Sequence, residues 1–316
     1  MAALFLIYHK TGVELSEDYA RTLAPLLGFG LLAPGGRRAE CPPDPPFPYL
    51  KGCGTPKLVR YEGAELACYP PHQLPSPCFS VVHFVRDPVK VIVSAYFYHH
   101  QQPTPEGWVN LPLGRLWGAG LCDRVLNAGA HNPERATAGP NGASAHLLGL
   151  TGDAFRAARR GCMALPLDPN RTLFQQLRAL PPPLGVQLMA FDQIPSLLRM
   201  AANALLLRAD KRPFLDVWMD EAIAEPYAVA SRVGQFIART AVPNEELARR
   251  NLTPAAVGDV VGRASESSYA AKQKAPSNSH VTSHRHGHAK EALLEVVENN
   301  AALAPLIAKV RGGLGL

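Results

Sequence analysis

The sequence predicts an α/β protein, a parallel sheet flanked by helices, and three observations carry that prediction. A short, continuous apolar run at residues 4–8 and a second mostly apolar stretch at 79–85 have the character of strands covered on both faces. Each passes within a few residues into a longer stretch with helical patterning or with the composition of a buried helix. Further helical patterns follow along the chain, and strands interleaved with helices build a sheet wrapped by helices.

The elements follow in chain order. Gly12 allows a tight turn after the first strand and a close approach of backbone to a ligand. Leu15, Tyr19, Leu23, Leu26 and Leu27 then recur at roughly helical spacing, and the carboxylates of Glu14, Glu17 and Asp18 suit the N-terminal end of that helix. Residues 35–56, rich in Pro, Gly and Arg, read as an irregular insertion. Residues 58–61 and 66–69 read as short strands. Pro88 opens a mostly buried helix that runs to His100, since a proline costs nothing in a first helical turn. A second insertion, residues 101–142, carries Trp108 and Trp117 and reads as a substrate lid. Helical patterns cover 143–160, 172–180, 194–207 and 215–240, with a further core strand at 186–192. Residues 262–287 are polar and read as a mobile loop before a final helix. With no internal repeat, the expectation is one domain spanning 1–316.

Composition bounds the function. A chain of 316 residues with 47% hydrophobic and 18% charged residues can bury the core of a globular enzyme. The net charge of +6 favours an anionic ligand, but no basic run with interleaved aromatics points to nucleic acid. No apolar run has the length of a membrane span. The N-terminal apolar residues are the first strand rather than a leader, so the expected location is cytoplasmic. Cys41, Cys53, Cys68, Cys78, Cys122 and Cys162 show no Cys-x-x-Cys spacing and read as free thiols. Asn170-Arg171-Thr172 and Asn251-Leu252-Thr253 fit the glycosylation triplet, with nothing in the sequence to signal secretion.

Two stretches carry the chemistry. In the first, the strand enters His9-Lys10-Thr11-Gly12 and then a helix, where backbone N–H groups beside a lysine form an anion site. It is not a standard phosphate-binding loop, because Leu4 and not glycine stands six residues before Lys10. In the second, the strand ends in Arg86-Asp87-Pro88, and Ser94 lies two turns into the next helix. An arginine and a serine so placed can converge on one phosphate, the guanidinium giving a forked contact. Two anion sites at strand ends suit a ligand with two separate phosphates.

This pairing resembles the sulfotransferases that use 3'-phosphoadenosine-5'-phosphosulfate (PAPS). Their first loop reads Pro-Lys-Ser/Thr-Gly-Thr-Thr; Lys10, Thr11 and Gly12 match, His9 replaces the proline and Val13-Glu14 replace the hydroxyl pair. Arg86, Pro88, Ser94, Tyr96, Tyr98 and His99 reproduce the second motif. Pro71-His72-Gln73-Leu74-Pro75 is similar to a segment whose histidine is the catalytic base. Phe191 falls where the family stacks an aromatic on adenine. Arg285 and Gly287, in Ser283-His284-Arg285-His286-Gly287, resemble the loop over the 3'-phosphate, although the Gly-x-x-Gly-x-Trp ending is absent.

The resemblance implies a sulfotransferase architecture related to P-loop nucleotide-binding folds, with PAPS as donor and no required metal. The acceptor would be a hydroxyl or amine on a small molecule or glycan. Lys10 would steady the leaving phosphate, with Thr11 and Gly12 beside it, and Arg86, Ser94, Arg285 and Gly287 would hold the 3'-phosphate. His72, or in its place Glu14 or His99, would be the base. Two other readings keep the fold. A phosphoryl transferase or nucleotide kinase would place Thr11 with Asp87 or Asp192 on Mg²⁺. A non-catalytic nucleotide binder would explain Val13-Glu14. His280, His284, His286 and His288 have imidazoles that suit a transition metal, but their crowding in a polar tract reads as solvated.

Overall fold

The computed structural model describes residues 2–8, 11–32, 57–63, 66, 79–100, 107–116, 122, 142–210, 212–274 and 287–316. They group into two compact units, Met1–Arg86 with Leu206–Pro276 and Asp87–Leu205 with Ser277–Leu316.

The first unit is an all-parallel five-stranded sheet with helices. Its strands are β1 (Ala2–Ile7), β2 (Gly30–Leu32), β3 (Lys57–Glu62), β4 (Phe79–Val85) and β5 (Phe214–Trp218), in the spatial order β2-β3-β1-β4-β5. Leu4 stands beside Val59 of β3 on one side and Val81 of β4 on the other. Every residue of β1 and β4 is buried, which is why β1 reads as an unbroken apolar run and β4 as an apolar strand carrying Ser80 and His83, neither showing alternation. One sheet face sends Phe5, Ile7, Val82, Phe84 and Val217 into a core completed by helices. These are α1 (Val13–Leu27), α9 (Pro226–Ala241) and α11 (Pro254–Lys274), which supply Tyr19, Leu23, Val233, Ile237 and Val257 among others. The other face carries Leu4, Leu6, Val59, Tyr61 and Val81 in a smaller cluster.

The second unit is helical where described: α2 (Pro88–His100), α3 (Leu113–Leu116), α4 (Gly142–Leu147), α5 (Gly152–Met163), α6 (Leu173–Ala179), most of α7 (Pro182–Ala209), α12 (Gly287–Glu298) and α13 (Ala304–Leu314). Asp87 starts α2 as a side-chain cap, its Oδ1 accepting from the backbone of Val89 at 3.0 Å and Lys90 at 3.3 Å. Its other oxygen accepts from Arg311 Nε at 2.8 Å, tying α2 to α13. The guanidinium of Arg311, hydrogen-bonded by Asp87 and Glu298, holds its proton more firmly than usual despite partial burial.

Several expectations are corrected. Residues 186–192 are not a strand but the buried middle of α7. Their Leu, Met, Ala and Phe are good or tolerable helix formers, and a helix that is apolar all round looks like a buried strand. The fifth strand comes instead from Phe214–Trp218, which the helical pattern at 215–240 had absorbed. That pattern splits into β5, α8 (Met219–Ala224) and α9, with Pro226 at the start of the last. The helix expected over 143–160 is interrupted at Gly149, whose φ is +61°. Residues 262–274 belong to α11 rather than to a polar loop; α10 (Asn244–Arg249) precedes it. Cys122 and Cys162 are not free thiols: they form a disulfide with Cα atoms 5.5 Å apart. Cys41, Cys53, Cys68 and Cys78 lie outside the described residues, as do most of both expected insertions. Among the described residues no helix is long and apolar enough to cross a membrane.

Candidate functional site

The chain builds β2 and β3 on one side of β1 and β4 and β5 on the other, so strand order reverses between β1 and β4. In open parallel sheets, ligands bind outside the carboxyl ends of the strands at such a switch point. The two motif stretches leave the sheet from these neighbouring strands, which pair directly through Leu6 and His83.

At the end of β1 the backbone closes a tight turn. Thr11 is fully buried; its N–H and its hydroxyl both donate to the Tyr8 carbonyl, at 3.0 and 2.9 Å. The Tyr8 N–H donates back to Thr11 Oγ1 at 2.8 Å. The hydroxyl assigned to a phosphate is therefore committed to the turn. Gly12 follows at φ +92° and is the residue from which α1 starts. A Cβ there would lie 2.5 Å from Met219 Sδ and 3.1 Å from Phe84, so conformation and packing both require glycine. The fifteen-residue α1 begins here and turns its first N–H groups toward this end of the sheet.

At the end of β4, Arg86 is only 6% exposed. Its guanidinium meets Asp220, in the first turn of α8, at 3.5 Å, the outer limit of a hydrogen bond. A buried cation at a strand end is the kind of group that receives an anionic ligand.

Across these strands runs a polar chain that no contiguous motif announces. His83 is fully buried, with Nδ1 2.8 Å from Asp216 Oδ1 and Nε2 3.1 Å from the Tyr8 hydroxyl. Nδ1–H donates to Asp216, and the second hydrogen bond joins Nε2 to the Tyr8 hydroxyl. Arg208 donates to the other oxygen of Asp216 at 3.3 Å. Burial alone would push the Asp216 carboxyl up, but the hydrogen bond and charge of His83, with Arg208, hold it below its ordinary range. Carboxylate on β5, imidazole on β4 and a phenol just past the end of β1 have the logic of an oriented base. The one sequence signal was a histidine in the middle of an apolar strand; its partner stands 133 residues away.

The remaining site residues are distributed as follows. Glu14, in the first turn of α1, is ion-paired with Lys272 of α11 at 3.5 Å, and the same ammonium meets Asp18 at 2.7 Å. Ser94 and His99 are buried within α2 of the second unit. Phe191 is not on a strand and is 1% exposed inside α7, its ring packed at Gly161 of α5, which makes it a core residue of that unit. Lys10, His72 and Arg285 lie outside the described residues, and Gly287 opens α12. Of the histidine cluster, His288 is described, exposed and 3.6 Å from Glu291. Among the described residues no group of three or more His, Cys, Asp or Glu side chains is placed to hold a metal ion. No family model, curated protein or solved structure matches this chain.

Proposed function

We propose that this protein is a sulfotransferase of P-loop-like architecture that takes its sulfuryl group from PAPS. The observation that carries the reading is the pair of adjacent parallel strand ends at the switch point, one opening a helix N-terminus and the other ending in buried Arg86. The donor set suits two phosphates rather than one. The N–H groups of α1 would receive the 5'-phosphate and Arg86 the 3'-phosphate.

When bound, PAPS supplies the activated sulfuryl group. Lys10 would neutralise charge growing on the departing phosphate oxygen, a preorganised contribution of roughly two to three orders of magnitude in rate. Gly12 lets the backbone approach that oxygen, while Thr11 keeps the turn closed. His72 is proposed as the base toward a hydroxyl or amine acceptor, and Ser94, Arg285 and Gly287 remain assignments of the sequence resemblance. A sulfuryl group in transfer carries less negative charge than a phosphoryl group. The hydroxyl and carboxylate that a kinase would place on Mg²⁺ are engaged elsewhere, Thr11 in its turn and Asp87 with Arg311 and the cap of α2.

Calorimetric titration with 3'-phosphoadenosine-5'-phosphate, with and without EDTA and against ATP–Mg²⁺, tests the donor site; a PAPS turnover assay tests the reaction. The expected outcome is metal-independent binding of the bisphosphate and transfer to an acceptor panel. Preference for ATP–Mg²⁺ would overturn the reading.

A further inference from the structure

The Cys122–Cys162 disulfide changes what the two glycosylation triplets mean. The bond joins residues 40 apart in sequence, and Cys162 is completely buried. Such cross-links persist in oxidising compartments and are rare where thiol buffers keep cysteines reduced. A disulfide between these two cysteines stands against the cytoplasmic location expected from the sequence. Both triplets also sit where a glycan can stand. Asn170 is exposed in a turn held by Asp168, whose side chain accepts from the Asn170 N–H at 2.9 Å. Asn251 is exposed in a left-handed turn, φ +53°, between α10 and α11.

The two threonines give the order of events. Thr172 Oγ1 accepts from the Gln175 N–H at 3.1 Å to cap α6, and Thr253 Oγ1 accepts from the Ala256 N–H at 3.1 Å at the start of α11. In the folded protein each threonine side chain is held in a helix cap, so a transferase that needs the triplet freely extended would act before these helices close. We propose that this chain matures in an oxidising, glycosylating compartment, where Asn170 and Asn251 become N-linked glycosylation sites and Cys122 pairs with Cys162. In the first step the asparagine amide nitrogen bonds to the anomeric carbon of a lipid-pyrophosphate-linked oligosaccharide. The carbon–oxygen bond to pyrophosphate breaks and the amide loses a proton to base. In the second, two thiols pass two electrons and two protons to the disulfide of an oxidoreductase, which leaves as a dithiol.

The test uses full-length protein from its own cells, alkylated under denaturing conditions at lysis. Peptide mass spectrometry follows treatment with a glycan-removing amidase in heavy-oxygen water. Asn170 and Asn251 are expected as heavy-labelled aspartates, with Cys122 and Cys162 unalkylated until reduction. Asn170→Asp and Asn251→Asp should each remove one glycan with an unchanged circular dichroism spectrum, since aspartate tolerates both turns. Unlabelled asparagine at either position, or alkylation of both cysteines without reduction, overturns the proposal. Neither result bears on the donor site proposed above.

Discussion

The ends of β1 and β4 lie side by side in the sheet, yet they use their polar residues in opposite ways. Thr11 spends its N–H and its hydroxyl on Tyr8, and Gly12 is fixed by the sulfur of Met219 beneath it. Arg86 is buried beside them with Asp220 at the edge of hydrogen-bonding distance. One end is a closed piece of architecture and the other a charge held in place. A motif therefore names residues that shape a loop as readily as residues that touch a ligand. The comparison assigns backbone geometry to the first strand end and ligand charge to the second.

The strongest way to break this division is to deform the first end. Gly12→Ala adds a Cβ at positive φ, costing about 1–2 kcal/mol, and overpacks Met219 and Phe84 for about 1–3 kcal/mol more. Chemical denaturation should show a loss of about 2–5 kcal/mol in total; a variant as stable as the parent would mean that the turn is not closed as described. Next in size is Lys10→Ala. It should lower PAPS turnover by about two orders of magnitude with a smaller loss of bisphosphate affinity, because its charge matters most as the leaving oxygen develops. Equal losses in both would make Lys10 a binding residue only.

Arg86→Ala should weaken 3'-phosphoadenosine-5'-phosphate by about 1.5–3 kcal/mol, the range for a hydrogen bond to a charged group. Binding of a ligand lacking the 3'-phosphate should hardly change; equal losses would move Arg86 into the architecture with Thr11. Thr11→Val is the mirror experiment. It leaves the buried Tyr8 N–H without its acceptor, at a cost to stability of about 1–3 kcal/mol, while Thr11→Ser should restore stability and leave ligand affinity unaltered. A Thr11→Val protein of normal stability but poor affinity would return the hydroxyl to the phosphate.

How far these features were legible follows from where their signals lie along the chain. The sequence revealed β1, β4, Gly12 and Pro88 because each rests on contiguous residues: an unbroken apolar run, a turn glycine, a proline at a helix start. It misread β5 and α7. A fully buried helix such as the middle of α7 shares its composition with a buried strand, and β5 is short and partly buried, with Asp216 at its centre, so neither period registers there. β2 is three residues long, too short for any period to register. Within the site, Arg86 was readable as a motif, whereas the commitment of Thr11 to its own turn was not. Its partner is a backbone group three residues back, and the motif is the same whether the hydroxyl points inward or toward a ligand. The His83–Asp216 pair needed the sheet itself, which sets position 83 opposite position 216.

That pair yields the smallest effect. Asp216 holds its proton less firmly in the folded chain than an ordinary aspartate, because His83 and Arg208 together outweigh its burial. A carboxyl depressed by folding stabilises the native state above its unfolded pKa, and that contribution is lost as pH falls through the folded value. Native stability should therefore decline in acid, from the ordinary aspartate range downward. Asp216→Asn removes the charge and keeps the shape. At neutral pH it should cost about 1.5–2 kcal/mol, the lower part of what a hydrogen bond to a charged group contributes. The gap between parent and variant should then narrow as pH drops below the ordinary carboxylate range and close once both carry a neutral side chain. Denaturation midpoints measured for the two proteins across the acid range provide the check. A gap that stays constant with pH would show that Asp216 holds His83 by shape alone, and that the chain from Arg208 to Tyr8 is a packing feature rather than an electrostatic one.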